Sequence, residues 1–127
     1  MKTVVCSPEA PAALGPYSQA IAAGSLVFCS GQIPLDPQAG ELVRGDVGAQ
    51  TRQALRNLEA VLRAQGLELG DIVKTTVFMT DLGRFAEMNT AYAAFFSGAP
   101  PARSTVQVSA LPKGAEVEIE AIAVQSS

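Results

Sequence analysis

The chain has 127 residues, 48% of them apolar, and a net charge of −3, which suits one domain with a sizeable core. Histidine is absent, which removes imidazole-based triads, imidazole acid–base catalysis and the commonest metal ligand. The nine basic residues are scattered, and Glu59 interrupts Arg52, Arg56 and Arg63, so the basic stripe with exposed aromatics that a nucleic-acid groove needs is missing.

Cys6 and Cys29 are too few for an extracellular disulfide framework and form no metal or redox motif. No charged segment leads into an apolar run, and no long apolar stretch occurs. A soluble cytoplasmic protein without membrane contact is expected.

Taken in chain order, Thr3 to Cys6 is a short strand candidate, and the Pro- and Ala-rich stretch from Pro8 to Pro16 reads as a loop. Ser18–Ala23 and Leu26–Ser30 flank Gly24-Ser25, a hairpin signal. Cys29 lies in the apolar run Leu26-Val27-Phe28-Cys29, so a buried structural thiol is expected there; Cys6 reads either way. Gly31 to Arg44, punctuated by Pro34, Pro37 and Gly40, is a long connection, and such connections often carry function. Asp46 is the N-cap of a first helix. Val47, Thr51, Ala54, Leu55, Leu58, Val61 and Leu62 fall on one face of it. Gly66 is placed to end that helix, with Leu67 as the hydrophobic contact beyond it. Ile72–Met79, β-branched and aromatic, reads as an interior strand. Asp81 caps a second helix of about three turns, whose stripe of Leu82, Phe85, Met88, Tyr92, Phe95 and Phe96 is expected to pack in the core. Gly98 to Pro101 breaks the chain before the last strands.

The order ββ(β)αβαββ has no repeat or linker, which gives a single α+β domain over 1–127 with a mixed sheet and helices on one face. Two helices cannot cover both faces. The other face is left to solvent or to association.

The C-terminal pattern is the most informative. From Pro100 to Val108 the chain alternates, with Arg103, Thr105 and Gln107 on one side and Ser104, Val106 and Val108 on the other. After a turn at 111–114, Glu116, Glu118 and Glu120 share one face, and Val117 and Ile119 the other. If the two runs form a hairpin, their apolar faces coincide only when paired residue numbers sum to an odd value, as with a loop over 111–114. That register sets Arg103 on the glutamate face. A guanidinium beside carboxylates suits a small carboxylate ligand with an acid–base group at hand; a solvated sheet surface is the alternative. The same face turns apolar at Ile122 and Val124, which points to cover by another subunit. Two more motifs read either way. Gly15-Pro16-Tyr17-Ser18-Gln19-Ala20 sets a tyrosine before a strand, as a site residue or a packing aromatic. Ser30-Gly31-Gln32-Ile33-Pro34 ends a strand where glycine permits close approach of backbone N–H groups to a ligand, or simply turns the chain.

Together these segments resemble the RidA (YjgF-like, reactive intermediate deaminase) family of 2-iminoacid/enamine deaminases. The resemblance runs through Ala12 to Tyr17, Ser30 to Pro34, Gly70 to Phe78, Pro101-Ala102-Arg103-Ser104 and Glu118 to Ala123, and it is the order and spacing of these segments that is specific. It implies a chorismate-mutase-like fold and a homotrimer with a central β-barrel-like core and sites in the clefts between subunits. It further implies hydrolysis of reactive imines left by pyridoxal-phosphate dehydratases acting on serine or threonine. By motif position Arg103 would bind the substrate carboxylate and Glu118 would position water. Tyr17, Ser30 and Gly31 would line the pocket, and Asn89 would lie near it. Thr105 stands where many members have cysteine; the family mechanism is drawn with the backbone carbonyl there, which threonine preserves.

The implied chemistry requires no metal and no cofactor. An enamine tautomerises to an imine, water adds to its carbon, and the carbinolamine collapses to a 2-oxoacid and ammonia. The protein has to hold a carboxylate, orient one water and move one proton. Two other readings stand beside it: a non-catalytic small-ligand-binding or chaperone-like trimer, and an RNA-cleaving inhibitor of translation, against which the acidic balance and the lack of histidine count.

Overall fold

Local sequence rules place most elements of the computed structural model, which describes residues 1–126. Strands β1 (Lys2–Val5), β2 (Ala20–Ala23) and β3 (Leu26–Gln32) lead to helix α1 (Val47–Arg63). Strand β4 (Ile72–Met79), helix α2 (Phe85–Ala93), β5 (Ala102–Gln107) and β6 (Val117–Val124) follow. They form one six-stranded mixed sheet in the order β1-β2-β3-β6-β4-β5.

The expected caps are present. Asp46 Oδ1 accepts from Ala49 N at 2.9 Å and opens α1. At its other end Gly66 takes φ +74°. Leu67 N–H donates to Leu62 O and Gly66 N–H to Arg63 O, both at 3.0 Å, which satisfies carbonyls that a helix end would otherwise leave bare. All seven residues of the α1 stripe are buried, and Leu55, Leu58 and Leu62 are fully so. Each of these contributes about 1.5–3 kcal/mol of apolar burial. They pack on Val27 and Cys29 of β3 and on Val117, Ile119, Ala121 and Ala123 of β6. Cys29 is a buried thiol, and burial pushes its pKa up to about 11.

Asp81 caps a short 3-10 turn, Leu82–Arg84, that runs into α2. Only part of the expected α2 stripe reaches the core. Met88 and Tyr92 are buried, whereas Leu82 and Phe85 are each 38% exposed. The turn takes Leu82 out of the α2 register, with its N–H donating to Gln107 Oε1 at 2.8 Å, and Phe85 opens α2 with its ring centroid 5.5 Å from the Arg103 guanidinium carbon.

The expected C-terminal hairpin does not form. β5 pairs with β4 in parallel, Thr75 opposite Arg103 and Val77 opposite Thr105. β6 runs antiparallel between β3 and β4. The β4–α2–β5 stretch is therefore a strand–helix–strand crossover, the connection parallel strands require. β6, apolar on every inward residue, takes a central place, and the polar β5 takes the edge. The two strands that the hairpin would have joined are separated by β4.

This reverses the expected orientation of Arg103. Thr75, Arg103 and Ala121 share a rung, and that rung's side chains point toward the helices, as the full burial of Thr75 shows. Phe78, Val106 and Glu118 share the next rung but two and point the other way. Glu116 lies before β6, and its carboxylate turns to α1, where Gln50 Nε2 donates to it at 3.1 Å. So Glu118 and Glu120 keep one face, Glu116 leaves it, and Arg103 is on the opposite side of the sheet. Both helices lie on one face, as expected. The other face carries exposed Phe28, Val106 and Val124. No helix among the described residues is long and apolar enough to cross a membrane.

Candidate active site

Glu118 stands at one side of a cleft of about 300 Å³ lined by Pro11, Ala12, Leu14, Tyr17, Gln19, Gly31, Gln32, Ile33, Leu35, Pro112 and Lys113. Gly31 falls in a bulge of β3, where Cys29 to Gln32 opposes Ala121 to Ile119 with one residue extra. Bulges of this kind re-aim side chains beside functional sites. The reason for glycine is direct: a Cβ at position 31 would overlap the Glu118 carboxylate, with its carboxyl carbon only 2.9 Å away. Burial in this cleft, and then the charge of Glu120, raise the Glu118 pKa above the usual carboxylate value. A half-buried carboxylate with enhanced basicity is suited to accept a proton from water.

Two buried amides hold the walls of this cleft. Gln19 Nε2 donates to Ser7 O (3.2 Å) and Pro11 O (2.8 Å), and its Oε1 accepts from Ser7 N at 2.6 Å. It thereby fixes the loop that carries Tyr17. Asn57 of α1 donates to Ile33 O at 3.2 Å and to Leu35 O at 2.9 Å, which fixes the chain after β3. Lys113, at φ +59°, is the one non-glycine residue with left-handed backbone among the described residues; with Gly114 at φ +76° it makes the tight turn that delivers β6 to the cleft. Such a conformation costs a non-glycine residue about 1 kcal/mol or more.

Arg103 belongs to a different cleft, of about 400 Å³, with Asn89, Tyr92, Ala93, Phe96, Pro100 and Pro101. Its guanidinium carbon lies 4.8 Å from the Tyr92 ring centroid and 5.5 Å from that of Phe85. Among the described residues no carboxylate comes within salt-bridge range of it. The ring faces hold the cation from the side and leave its N–H fork available to a planar anion such as a carboxylate.

The residues expected at the site therefore fall in two groups. Tyr17, Gly31 and Glu118 share one cleft, and Asn89 and Arg103 the other. Ser30 stands beside Gly31, but its hydroxyl donates to Ser18 O at 2.6 Å, tying the bulge to the loop before β2. Thr105 lies inward of Arg103 on β5, and its Oγ1 is buried with no hydrogen-bond partner among the described residues. Gln19, Asn57, Phe85 and Tyr92 were not anticipated at the site. Only isolated amides in otherwise apolar stretches hinted at the first two, and the aromatic pair reads as core from its spacing. Among the described residues no cluster of three or more metal-ligating side chains forms.

The sequence model of the family described as "Endoribonuclease L-PSP" matches residues 7–125. Protein DfrA of Myxococcus xanthus is 56% identical over 97% of this chain and 95% of its own length. A Salmonella typhimurium protein named 2-iminobutanoate/2-iminopropanoate deaminase is 52% identical over 98% of this chain and 99% of its own. Among solved structures, Escherichia coli TdcF with bound serine superposes with a TM-score of 0.93 at 50% identity, covering 98% of this chain and 99% of that one.

Proposed function

The chain belongs to the Endoribonuclease L-PSP family, which is the RidA/YjgF family, and we propose that it hydrolyses 2-imino and enamine acids to 2-oxoacids and ammonia. The observation that carries this reading is the pair of half-sites: a ring-held guanidinium with a free fork, and a carboxylate of raised pKa, in separate clefts on opposite faces of one sheet. Neither half suffices for the reaction. The open sheet face, with exposed Phe28, Val106 and Val124, supports association, and a homotrimer would bring the Arg103 cleft of one subunit to the Glu118 cleft of the next.

In that arrangement Arg103 takes the substrate carboxylate through paired N–H donors, and Asn89 and Thr105 lie on its side of the ligand. Glu118 orients the attacking water and takes its proton as the C–O bond to the imine carbon forms. That proton goes to the imine nitrogen, giving the carbinolamine. Its hydroxyl proton then passes to the nitrogen through the same carboxylate as C=O forms and the C–N bond breaks, so that ammonia departs and the 2-oxoacid remains. Tyr17 and Gly31 bound the space in which this happens. Relatives of about 50% identity that are named 2-iminobutanoate/2-iminopropanoate deaminase support the substrate class.

Ligand binding without turnover is the second reading, favoured by the serine in the TdcF structure. One assay separates the two. A pyridoxal-phosphate dehydratase acting on threonine generates the imine in situ, and its loss to 2-oxobutanoate is followed with and without this protein. Acceleration by wild type and none by Arg103→Ala is expected. Equal rates with and without the protein refute the deaminase, and 2-oxobutanoate binding alone would leave a binding module. Sedimentation as a monomer at micromolar concentration refutes the trimer.

A further inference from the structure

We infer that Thr75 and Tyr92 form a brace that positions the Arg103 guanidinium, which makes Tyr92 a positioning residue for carboxylate capture. This deepens the deaminase reading and rests on it for its ligand.

An arginine on an edge strand has several rotatable bonds, and a bidentate contact needs its plane fixed. No acidic partner fixes it among the described residues. What touches the guanidinium is aromatic, with Tyr92 the nearer ring at 4.8 Å. Phe85, at 5.5 Å, is 38% exposed, whereas Tyr92 is 4% exposed. The Tyr92 ring is held at two points. Its hydroxyl shares a 2.7 Å hydrogen bond with Thr75 Oγ1, and Phe96 packs on it at a centroid distance of 4.8 Å.

Thr75 is fully buried and is the residue directly beside Arg103 in the parallel register of β4 and β5. One rung of the sheet therefore sets the arginine's Cα and, through the phenol, its far end as well. Packing alone does not require this pair. Phe at 92 and Val at 75 would fill the same volume, and removing both partners of a buried hydrogen bond leaves no unsatisfied group. What the hydroxyl pair adds is a fixed ring.

The test combines a ligand-independent signal with binding and kinetics on the full-length protein. The Arg103 Nε–H proton, assigned by its loss in Arg103→Lys, should be shifted upfield by the rings. Thr75→Val and Tyr92→Phe should move it back toward the free-arginine position, and the double variant should equal either single. Calorimetry with 2-oxobutanoate should show Kd raised about threefold to tenfold in these variants, and more in Tyr92→Leu. KM should rise in step with kcat nearly unchanged, as expected when only uniform binding is lost. A core defect would instead lower the melting temperature and leave KM alone. If Tyr92→Leu fails to fold, the two conservative variants carry the test. Thr75→Val with wild-type Kd and an unmoved Arg103 signal overturns the brace. A wild type that shows the upfield signal but neither binds 2-oxobutanoate nor hydrolyses imine overturns the deaminase reading, and with it the positioning role.

Discussion

Two inactive variants should restore activity when mixed. Arg103→Ala empties one half-site of its cation, and Glu118→Gln takes the base from the other. Within one chain these residues stand on β5 and β6 with β4 between them, and their rungs, those of Thr75 and Phe78, are three residues apart. At about 4.8 Å per strand and about 3.3 Å per residue, the offsets are about 10 Å across and about 10 Å along the sheet. Their Cα atoms are thus about 14 Å apart, and their side chains leave opposite faces. No small imino acid bridges that distance through a packed sheet. In a cyclic trimer with Arg103 of one subunit facing Glu118 of its neighbour, random assembly of equal amounts gives each site an even chance of an intact arginine and an even chance of an intact glutamate. About one quarter of wild-type activity should return, from parents that each retain about a hundredth or less. The variants are co-expressed with different tags, the mixed trimers are isolated through both tags, and imine loss is measured per subunit. Selecting mixed trimers discards the inactive pure ones, and a cyclic trimer with both variants has one intact site in three, so the recovered fraction of the isolated mixed trimers should be about one third. Mixed trimers no more active than the parents would refute the two-subunit site.

Gly31→Ala should fold, because the atoms a Cβ would meet belong to the flexible Glu118 side chain. Turnover should nevertheless fall about tenfold to a hundredfold as the carboxylate is displaced; steady-state kinetics beside thermal melts check this, and unchanged kcat would contradict it. Burial is the first cause of the raised Glu118 pKa and the Glu120 charge the second. The acid limb of kcat should therefore sit above the ordinary glutamate value of about 4.3, and Glu120→Gln should lower it only in part. The same shift sets a stability difference. The fold favours protonated Glu118, so the contribution of this group is fully present below its unfolded pKa and is lost as pH rises through the folded pKa. Glu118→Gln should then raise the melting temperature near neutral pH and leave it unchanged at about pH 3; a variant less stable at both would be contrary evidence. Thr105→Val removes a hydroxyl that has no partner among the described residues. Stability should hold or rise, and turnover should stay within about threefold; a larger loss would assign that hydroxyl to the ligand. Alkylating reagents should leave activity intact, since the one buried thiol, Cys29, has its pKa pushed up to about 11.

The sequence by itself determined whatever depends on near neighbours. The α1 stripe, the Asp46 cap, the turn at Gly66 and the span of β4 all follow from spacings of a few residues, and the structure reproduces them. The motif order carried the family, and with it the candidate site residues. Tertiary structure decided which strands are neighbours. Alternation tells which residues share a side of a strand, but its sign relative to the core depends on the partner. Arg103, Thr105 and Gln107 do share a side; the assumed hairpin merely put it on the wrong face. The helix between β4 and β5 was the available clue, because strands joined through a helix pair in parallel. Pairing β5 with β4 moved Arg103 to the helix side, onto Tyr92 and Phe85, and left Glu118 across the sheet beneath Gly31. Strand partners are chosen by the burial of whole faces over long sequence separations, and no local period encodes that choice.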